Sequence, residues 1–364
     1  MKVLQVINNL ATGGAEKLLI ESLPLYRKME IDMDILVLNG FDYPFMKSLR
    51  ELNCCRIFSL GSLSVYSPIN VLKIIPFLRR YDIVHVHVFP SMYWVALAKL
   101  ISFSNSKLIF TEHNTYNRRM GNRLFKRFDR LVYSLYERVV CITPAVEKVL
   151  SSYMPKSRSK FIVIENGVDL EKIEATYPIK REEIDSRLSY DDFLIIQVSG
   201  FRPQKDQVTL IKAVKVLPHK VKLLLIGTGT NLVNCEALVH ELGLAERVFF
   251  LGERTDVISI SKTVDVCVLS SHWEGFGLVA VEGMACRKPV IASNVPGLSN
   301  IVSGAGLLFS VGNEEQLVSQ IRSLLDNGSH YEMVAHACKN RSHNYSITQC
   351  IRRHIDLYDE LYEA

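Results

Sequence analysis

No stretch of this 364-residue chain approaches the ~18 to 20 consecutive apolar residues that a bilayer-spanning helix needs. The apolar opening after Met1 is broken by Asn8 and Asn9, which is too short a run for a signal peptide. Eight cysteines are scattered (Cys54, Cys55, Cys141, Cys235, Cys267, Cys286, Cys338 and Cys350), with no C-x-x-C and no metal-ligand spacing. Most stand in apolar runs, as reduced core residues of a cytoplasmic protein do. Charge of one sign is also scarce. With 43 Lys and Arg against 38 Asp and Glu, the net charge is only +5. That excess suits an anionic substrate or an anionic membrane surface, but it is too small and too dispersed for nucleic acid, and no RNA- or DNA-binding motif accompanies it. Tryptophan occurs twice, and repeats and low-complexity segments are lacking. A full G-x-G-x-x-G is missing too, which speaks against a dinucleotide dehydrogenase. The one D-x-D, Asp32-Met33-Asp34, precedes a strand instead of following one, so it reads as a solvated strand start; neither a metal nor a cofactor is expected.

What is present is a globular composition, 48% hydrophobic and 22% charged, long enough for two cores of roughly 170 residues each. Short β-branched runs alternate with helical patterns, which predicts parallel sheets flanked by helices. Strands are expected at 3–7, 33–38, 83–87, 108–111, 138–142 and 161–164, with helices such as 15–27 and 144–153 between them. The alternation restarts with strands at 193–198, 222–226, 247–251, 264–269 and 289–292. A polar, weakly periodic stretch separates the halves. This gives a first domain over 1–168, a linker over 169–191, a second domain over 192–345 and a terminal helix from about 347 to 362. Ligands of such doubly wound sheets bind at the carboxyl ends of the strands.

The most informative segment is Ser-His-Trp-Glu-Gly-Phe-Gly-Leu-Val-Ala-Val-Glu, residues 271–282. Glu274 and Glu282 stand eight apart where an apolar strand gives way to a helix. Leu278, Val281, Glu282 and Ala285 fall at i, i+3, i+4 and i+7, placing the second carboxylate on the core-facing stripe. A buried carboxylate needs a partner, and a diol such as ribose donates two hydrogen bonds to one. Gly275 and Gly277 let a ligand approach the backbone at a helix start, where amides and the helix dipole favour an anion. Hydroxylated group, phosphate and hydroxylated group in a row describe a nucleotide sugar. The bland alternative is an ordinary turn with one exposed and one paired glutamate.

E-G-F-G-L-V-A-V-E resembles the E-x7-E signature of retaining glycosyltransferases of the GT-B fold, family 4. The resemblance runs from Gly13 to Glu282. It implies an α/β architecture of two doubly wound, Rossmann-like domains facing across a cleft, with the C-terminal helix crossing back to the first. By the same resemblance, Glu274 orients donor sugar hydroxyls and Glu282 holds the ribose, while Gly275, Phe276, Gly277, Leu278 and Val279 line the diphosphate. Gly13 and Gly14, in G-G-A-E, correspond to the family's N-terminal glycine loop. His113, in Thr-Glu-His-Asn, corresponds to the histidine beside the transferred sugar. Lys205, in Phe-Arg-Pro-Gln-Lys, aligns with the lysine of the family's G-R-x-x-x-x-K loop. Arg202 stands two residues beyond the expected arginine, whose place Gly200 holds. Gly227 belongs to a short glycine loop, and the backbone around Arg254 to the stretch that reads the nucleobase. Asn166-Gly167-Val168-Asp169 resembles the family's domain junction.

The segment 117–131 carries Arg118, Arg119, Arg123, Lys126, Arg127 and Arg130 with Asp129 as its only acid, and Leu124, Phe125, Phe128 and Leu131 are interleaved. A solvated face explains such a run, and so does weak contact of residues 118–130 with anionic lipid. The expectation is a metal-independent, retaining hexosyltransferase that moves a sugar from a nucleotide diphosphate donor, a UDP-sugar, to a saccharide or lipid-linked acceptor in cell-surface polysaccharide assembly. Its place would be cytoplasmic, peripheral to the inner face of the membrane. An epimerase of the same architecture would convert donor without acceptor, and a nucleotide-sugar sensor would bind donor without turnover.

Overall fold

Two compact units divide the chain: Met1–Gly167 with Ile347–Ala364, and Val168–Ser346. The computed structural model describes residues 1–115 and 118–364, the side chains of 118 and 119 excepted. The sequence reading of Asn117 and of the Arg118 and Arg119 side chains therefore lies outside the described residues.

In the first unit, strands β1 (Lys2–Ile7), β2 (Asp32–Val37), β3 (Ile57–Ser59), β4 (Ile83–His87), β5 (Lys107–Glu112), β6 (Arg138–Cys141) and β7 (Phe161–Val163) form one sheet in the order β3-β2-β1-β4-β5-β6-β7. Every pairing is parallel, with Val3 opposite both Met33 and Ile83. Helices cover both faces, so Val3, Leu4, Val6 and Ile7 are all fully buried, the pattern of a central parallel strand. The helix Ile347–Glu363 belongs to this unit and packs on the helix Gly14–Lys28. It buries Ile347, Ile351, Leu357, Tyr358 and Leu361, each worth about 1.5–3 kcal/mol of apolar transfer. Polar links fix its register. Arg353 Nη2 donates to the Val163 carbonyl at 2.6 Å, and Arg138 Nη2 meets Glu360 Oε1 at 2.6 Å.

In the second unit, β8 (Phe193–Val198), β9 (Val221–Ile226), β10 (Val248–Phe250), β11 (Val266–Leu269), β12 (Val290–Ser293) and β13 (Leu307–Phe309) are again all parallel, in the order β10-β9-β8-β11-β12-β13. Strand order reverses beside β8, between it and β11. The stretch expected as a linker packs against this unit. It contains the short helices Leu170–Ala175 and Arg181–Ile184, and Thr263 Oγ1 donates to the Ile179 carbonyl at 2.7 Å.

Three expectations need correcting. Strands β3 (Ile-Phe-Ser) and β13 (Leu-Leu-Phe) were not anticipated, because β3 holds one β-branched residue and β13 none. The helix Leu278–Ala285 has no single buried stripe. Ala280 through Ala285 are all buried while Leu278 is only half-buried, because this short helix is enclosed by β11, β12 and the helix Gly328–Ser342. Asp34 is not solvated. It lies inside β2, is 2% exposed, and receives Arg56 Nη2 at 2.7 Å together with the Tyr81 hydroxyl. Among the cysteines, Cys54 and Cys55 are half-buried and the other six buried, all as free thiols.

Candidate functional site

The second unit gathers its polar side chains where strand order reverses, in the loops after β8 and β11. After β8 the chain makes a single 3-10 turn, Pro203–Lys205, and Asp206 then adopts a left-handed conformation (φ 48°) and caps the helix Gln207–Val216 through the Thr209 amide. The turn is stitched to the β11 loop. Ser270 Oγ donates to the Asp206 carbonyl at 2.7 Å, the His272 amide to the Gln204 carbonyl at 2.8 Å, and Gln204 Nε2 to the Trp273 carbonyl at 3.0 Å. Buried Gln197 of β8 donates to the Lys205 carbonyl at 2.8 Å. These bonds aim Lys205 at Glu274. Lys205 Nζ is ion-paired to Glu274 Oε1, and that same oxygen accepts from Ser271 Oγ at 2.8 Å. The Glu274 side chain is 12% exposed and that of Lys205 23%, so neither is fully buried.

Beyond Glu274 the backbone turns through Gly275 and Gly277 into the helix Leu278–Ala285. Gly277 is its N-cap at φ 99°, and a Cβ there would also overlap the Leu298 side chain, so the turn needs glycine. The first-turn amides at Leu278 and Val279 have no intrahelical acceptor, an arrangement that favours an anion. Phe276 is buried against the Tyr345 ring at 5.5 Å, which anchors the turn. Glu282 lies one turn into the helix, 3% exposed. Gly227 follows β9 and abuts the Ser199 carbonyl. Arg254 follows β10, but its guanidinium grips Asp256 through Nε–Oδ1 at 2.8 Å and Nη2–Oδ2 at 2.6 Å. That bidentate pair raises the arginine's pKa and lowers the carboxylate's. It commits the side chain locally and leaves the backbone of this turn as the part that can meet a ligand. Arg202 is exposed at the start of the 3-10 turn, outside the Lys205–Glu274–Ser271 cluster.

In the first unit the candidate residues also sit at strand carboxyl ends. Gly13, the N-cap of the helix Gly14–Lys28, is in extended conformation, and the Glu16 carboxylate occupies the space a Cβ would take. His113 follows β5. Its Nε2 lies 3.1 Å from Nδ1 of His87, the last residue of β4. Burial pushes the His113 imidazole down to about 4, so it is neutral at physiological pH. The basic segment forms the helix Arg123–Ser134, capped by Asn122. Its lone acid, Asp129, points inward and is held by the Tyr93 hydroxyl and, at 2.8 Å, by that of Tyr153. The outer face is left to exposed Arg123, Arg127 and Arg130 beside exposed Leu124, Phe125, Phe128 and Leu131.

Sequence reasoning missed Ser271, Gln197 and Ser270, and also the polar partners around His113. His85-Val-His87 carried a signal, since two histidines two apart in an otherwise apolar strand share one face of the sheet. Among the described residues, no group of three or more His, Cys, Asp or Glu is arranged to hold a metal ion, and no helix is long and apolar enough to cross a membrane.

Two family profiles match this arrangement of halves: Glycosyltransferase Family 4 over residues 12–172, and Glycosyl transferases group 1 over residues 179–341. An uncharacterised glycosyltransferase of Methanocaldococcus jannaschii is 29% identical over 96% of this chain and 95% of its own length. The UDP-Gal:alpha-D-GlcNAc-diphosphoundecaprenol alpha-1,3-galactosyltransferase of Escherichia coli is 24% identical over 84% of this chain and 82% of its own. Among solved structures, Anabaena HepE in complex with UDP-glucose superposes with a TM-score of 0.85 at 22% identity, covering 99% of this chain and 100% of that one. With two parallel sheets of this topology, a family profile on each half and the E-x7-E turn between β11 and its helix, the chain belongs to family 4 of the GT-B glycosyltransferases.

Proposed function

We propose that the protein is a retaining, metal-independent glycosyltransferase that moves a hexose from a UDP-sugar to a lipid-linked saccharide in cell-surface polysaccharide assembly. The observation that carries the reading is the cluster of Lys205, Glu274 and Ser271 at the strand-order reversal of the second unit, followed by a glycine turn and a helix that buries Glu282. An ammonium and a carboxylate side by side suit a diphosphate next to a sugar hydroxyl. The first-turn amides of the helix add anion binding, and Glu282 offers acceptors to a ribose diol. The E. coli relative named above acts on a diphosphoundecaprenol acceptor, and HepE was solved with UDP-glucose; both support the choice of substrates.

Chemistry follows from these charges. The bond between the anomeric carbon and the β-phosphate oxygen breaks as Lys205, Arg202 and the Gly275 to Leu278 amides stabilise the departing diphosphate. The acceptor hydroxyl attacks the same face and passes its proton to the leaving phosphate oxygen. Glu274 orients the donor hydroxyls, and neutral His113 contacts the saccharide without serving as a base. The cationic and apolar face of the helix Arg123–Ser134 suits an enzyme that rests on the anionic inner leaflet, where lipid-linked acceptors are anchored.

The test is a screen of nucleotide sugars by thermal stabilisation of the full chain. It is followed by transfer to undecaprenyl-diphosphate saccharides with and without EDTA, and by NMR of the product anomer. Stabilisation by a UDP-sugar, EDTA-resistant transfer and retained configuration are expected. Conversion of donor without acceptor, inverted product, or activity that only manganese or magnesium restores would overturn the corresponding part.

A further inference from the structure

His113 is one end of a hydrogen-bonded chain that runs through the interior of the first unit. His113 Nε2 lies 3.1 Å from His87 Nδ1, and His87 Nε2 lies 2.7 Å from Gln5 Oε1 of β1. Gln5 Nε2 reaches the Tyr358 hydroxyl of the C-terminal helix at 3.1 Å. That hydroxyl lies 2.7 Å from His85 Nδ1, and His85 Nε2 lies 2.6 Å from Thr111 Oγ1. Gln5, His85, His87 and Thr111 are all at most 4% exposed, and Tyr358 is fully buried.

One residue at the side settles which way the Gln5 amide faces. Gln5 Nε2 also lies 3.4 Å from the Met33 thioether, which can only accept. The amide nitrogen therefore faces Met33 and Tyr358, and the amide oxygen faces His87. Since that oxygen only accepts, His87 carries its proton on Nε2. His87 is neutral because burial first, then His113 and His354, push its pKa well below the ordinary value, so its Nδ1 is a bare acceptor. Only a donor can face it. At the far end, the Tyr358 hydroxyl accepts from Gln5 and from the Tyr26 hydroxyl, so its own proton goes to His85 Nδ1, which leaves His85 Nε2–H to donate to Thr111. Each link then has one donor and one acceptor.

We infer that His87, Gln5 and Tyr358 are positioning residues that fix the proton of His113 on Nε2 and present its Nδ1 as a hydrogen-bond acceptor, so that this position selects a saccharide hydroxyl. The consequence for substrate rests on the glycosyltransferase reading above; the tautomer itself does not. Neighbouring titratable groups leave the assignment intact. His85 and His354 are also held neutral by burial, the latter with help from Arg353 on the C-terminal helix, and Glu112, one residue away at the end of β5, accepts from the Asn114 amide and the Tyr133 hydroxyl.

Two-bond proton–nitrogen NMR of the full chain labelled with 15N-histidine reads the tautomer directly. His113 is assigned by the signals lost in His113→Asn. At pH 7 the Nε2–H pattern is expected for His113, His87 and His85. A proton on Nδ1 of His113, or a doubly protonated ring, would overturn the inference whatever the enzyme's substrate proves to be. A pair of variants tests the relay. His87→Asn sets an amide oxygen near the place of Nδ1 and should keep the His113 pattern, with kcat/KM within about threefold of wild type. His87→Leu removes the acceptor and should give mixed His113 tautomers and a loss of roughly tenfold or more, with a donor lacking the contacted hydroxyl no longer discriminated. An unchanged His113 pattern in a folded His87→Leu protein would overturn the relay; if that variant does not fold, the wild-type spectrum decides.

Discussion

Lys205 Nζ is ion-paired to Glu274 Oε1 across 69 residues of sequence, and Ser271 Oγ donates to the same carboxylate oxygen at 2.8 Å. On the proposed reading the cation is held in place before the diphosphate arrives, so little reorganisation is left for the moment of transfer.

If the two act as one unit, their losses do not add. Lys205→Ala should lower kcat by roughly a hundred- to a thousandfold, as removal of a charge-stabilising donor does elsewhere. Glu274→Gln should cost a similar amount, and the double variant little more than the worse single one. Steady-state kinetics of the three proteins check this, and strictly additive losses would mean that the residues work independently.

Glu282, buried on its helix, is expected to hold the donor ribose. Glu282→Gln preserves the shape and loses charge-assisted bonds worth about 1.5–3 kcal/mol, so donor affinity should fall roughly ten- to a hundredfold. Calorimetric titration with the nucleotide diphosphate measures it, and an unchanged dissociation constant would remove Glu282 from the site.

Gly297 lies under the loop that carries Glu274. It sits at φ 94°, and a Cβ there would overlap the Glu274 and Gly275 carbonyl oxygens. Gly297→Ala should cost about 1–3 kcal/mol, seen as a fall of several degrees in Tm, and should raise the donor KM although residue 297 itself lies outside the proposed contacts. A fall in Tm with an unaltered KM would separate the loop from donor binding.

Acid should destabilise the first unit through its histidines. His113 is pushed down to about 4 and His354 to about 3, mainly by burial, while the ordinary value is 6.5. Their folded forms are neutral, so the unfolded chain binds more protons below pH 6.5. Stability is fully present above that value and falls as pH drops toward 4, by about 1.4 kcal/mol per pH unit for each histidine. His354 Nε2 has no hydrogen-bond partner among the described residues. His354→Leu should therefore be neutral or slightly stabilising at pH 7 and flatten the acid limb, as read from Tm between pH 5 and 8.

The helix Arg123–Ser134 should bind vesicles that contain anionic lipid. Each cation near such a surface is worth about 1 kcal/mol, so changing Arg123, Arg127 and Arg130 to Ser should weaken partitioning by roughly a hundredfold, and salt should weaken the wild type. Equal sedimentation of the two proteins would leave the helix as a solvated face.

The sequence showed the central strands because parallel strands buried on both faces are continuous β-branched runs; β8 spans Phe193–Val198, as its composition predicts. Edge strands β3 and β13 lack that composition, with one β-branched residue in the first and none in the second. Lys205 and Glu274 were legible as motif members, but their pairing depends on Gln197 and Ser270 bonding to backbone carbonyls across β8 and β11, and polar residues in such loops have no distinguishing pattern. Asp34 was misread for a related reason. Its partners Arg56 and Tyr81 lie 22 and 47 residues away, and only the sheet brings them to it.

The helix Ile347–Glu363 bears on the order in which this protein is made. The second unit is one continuous stretch, Val168–Ser346, whereas the first consists of residues 1–167 and 347–364. During synthesis, residues 1–167 emerge with the Gln5 amide and His85 Nδ1 facing an empty groove, because Tyr358 has yet to be translated. The second unit can complete its core before the first can, reversing the usual N-terminal-first order of folding on the ribosome. A nascent chain stalled before residue 347 should accordingly protect the second unit from protease while the first remains open to cleavage.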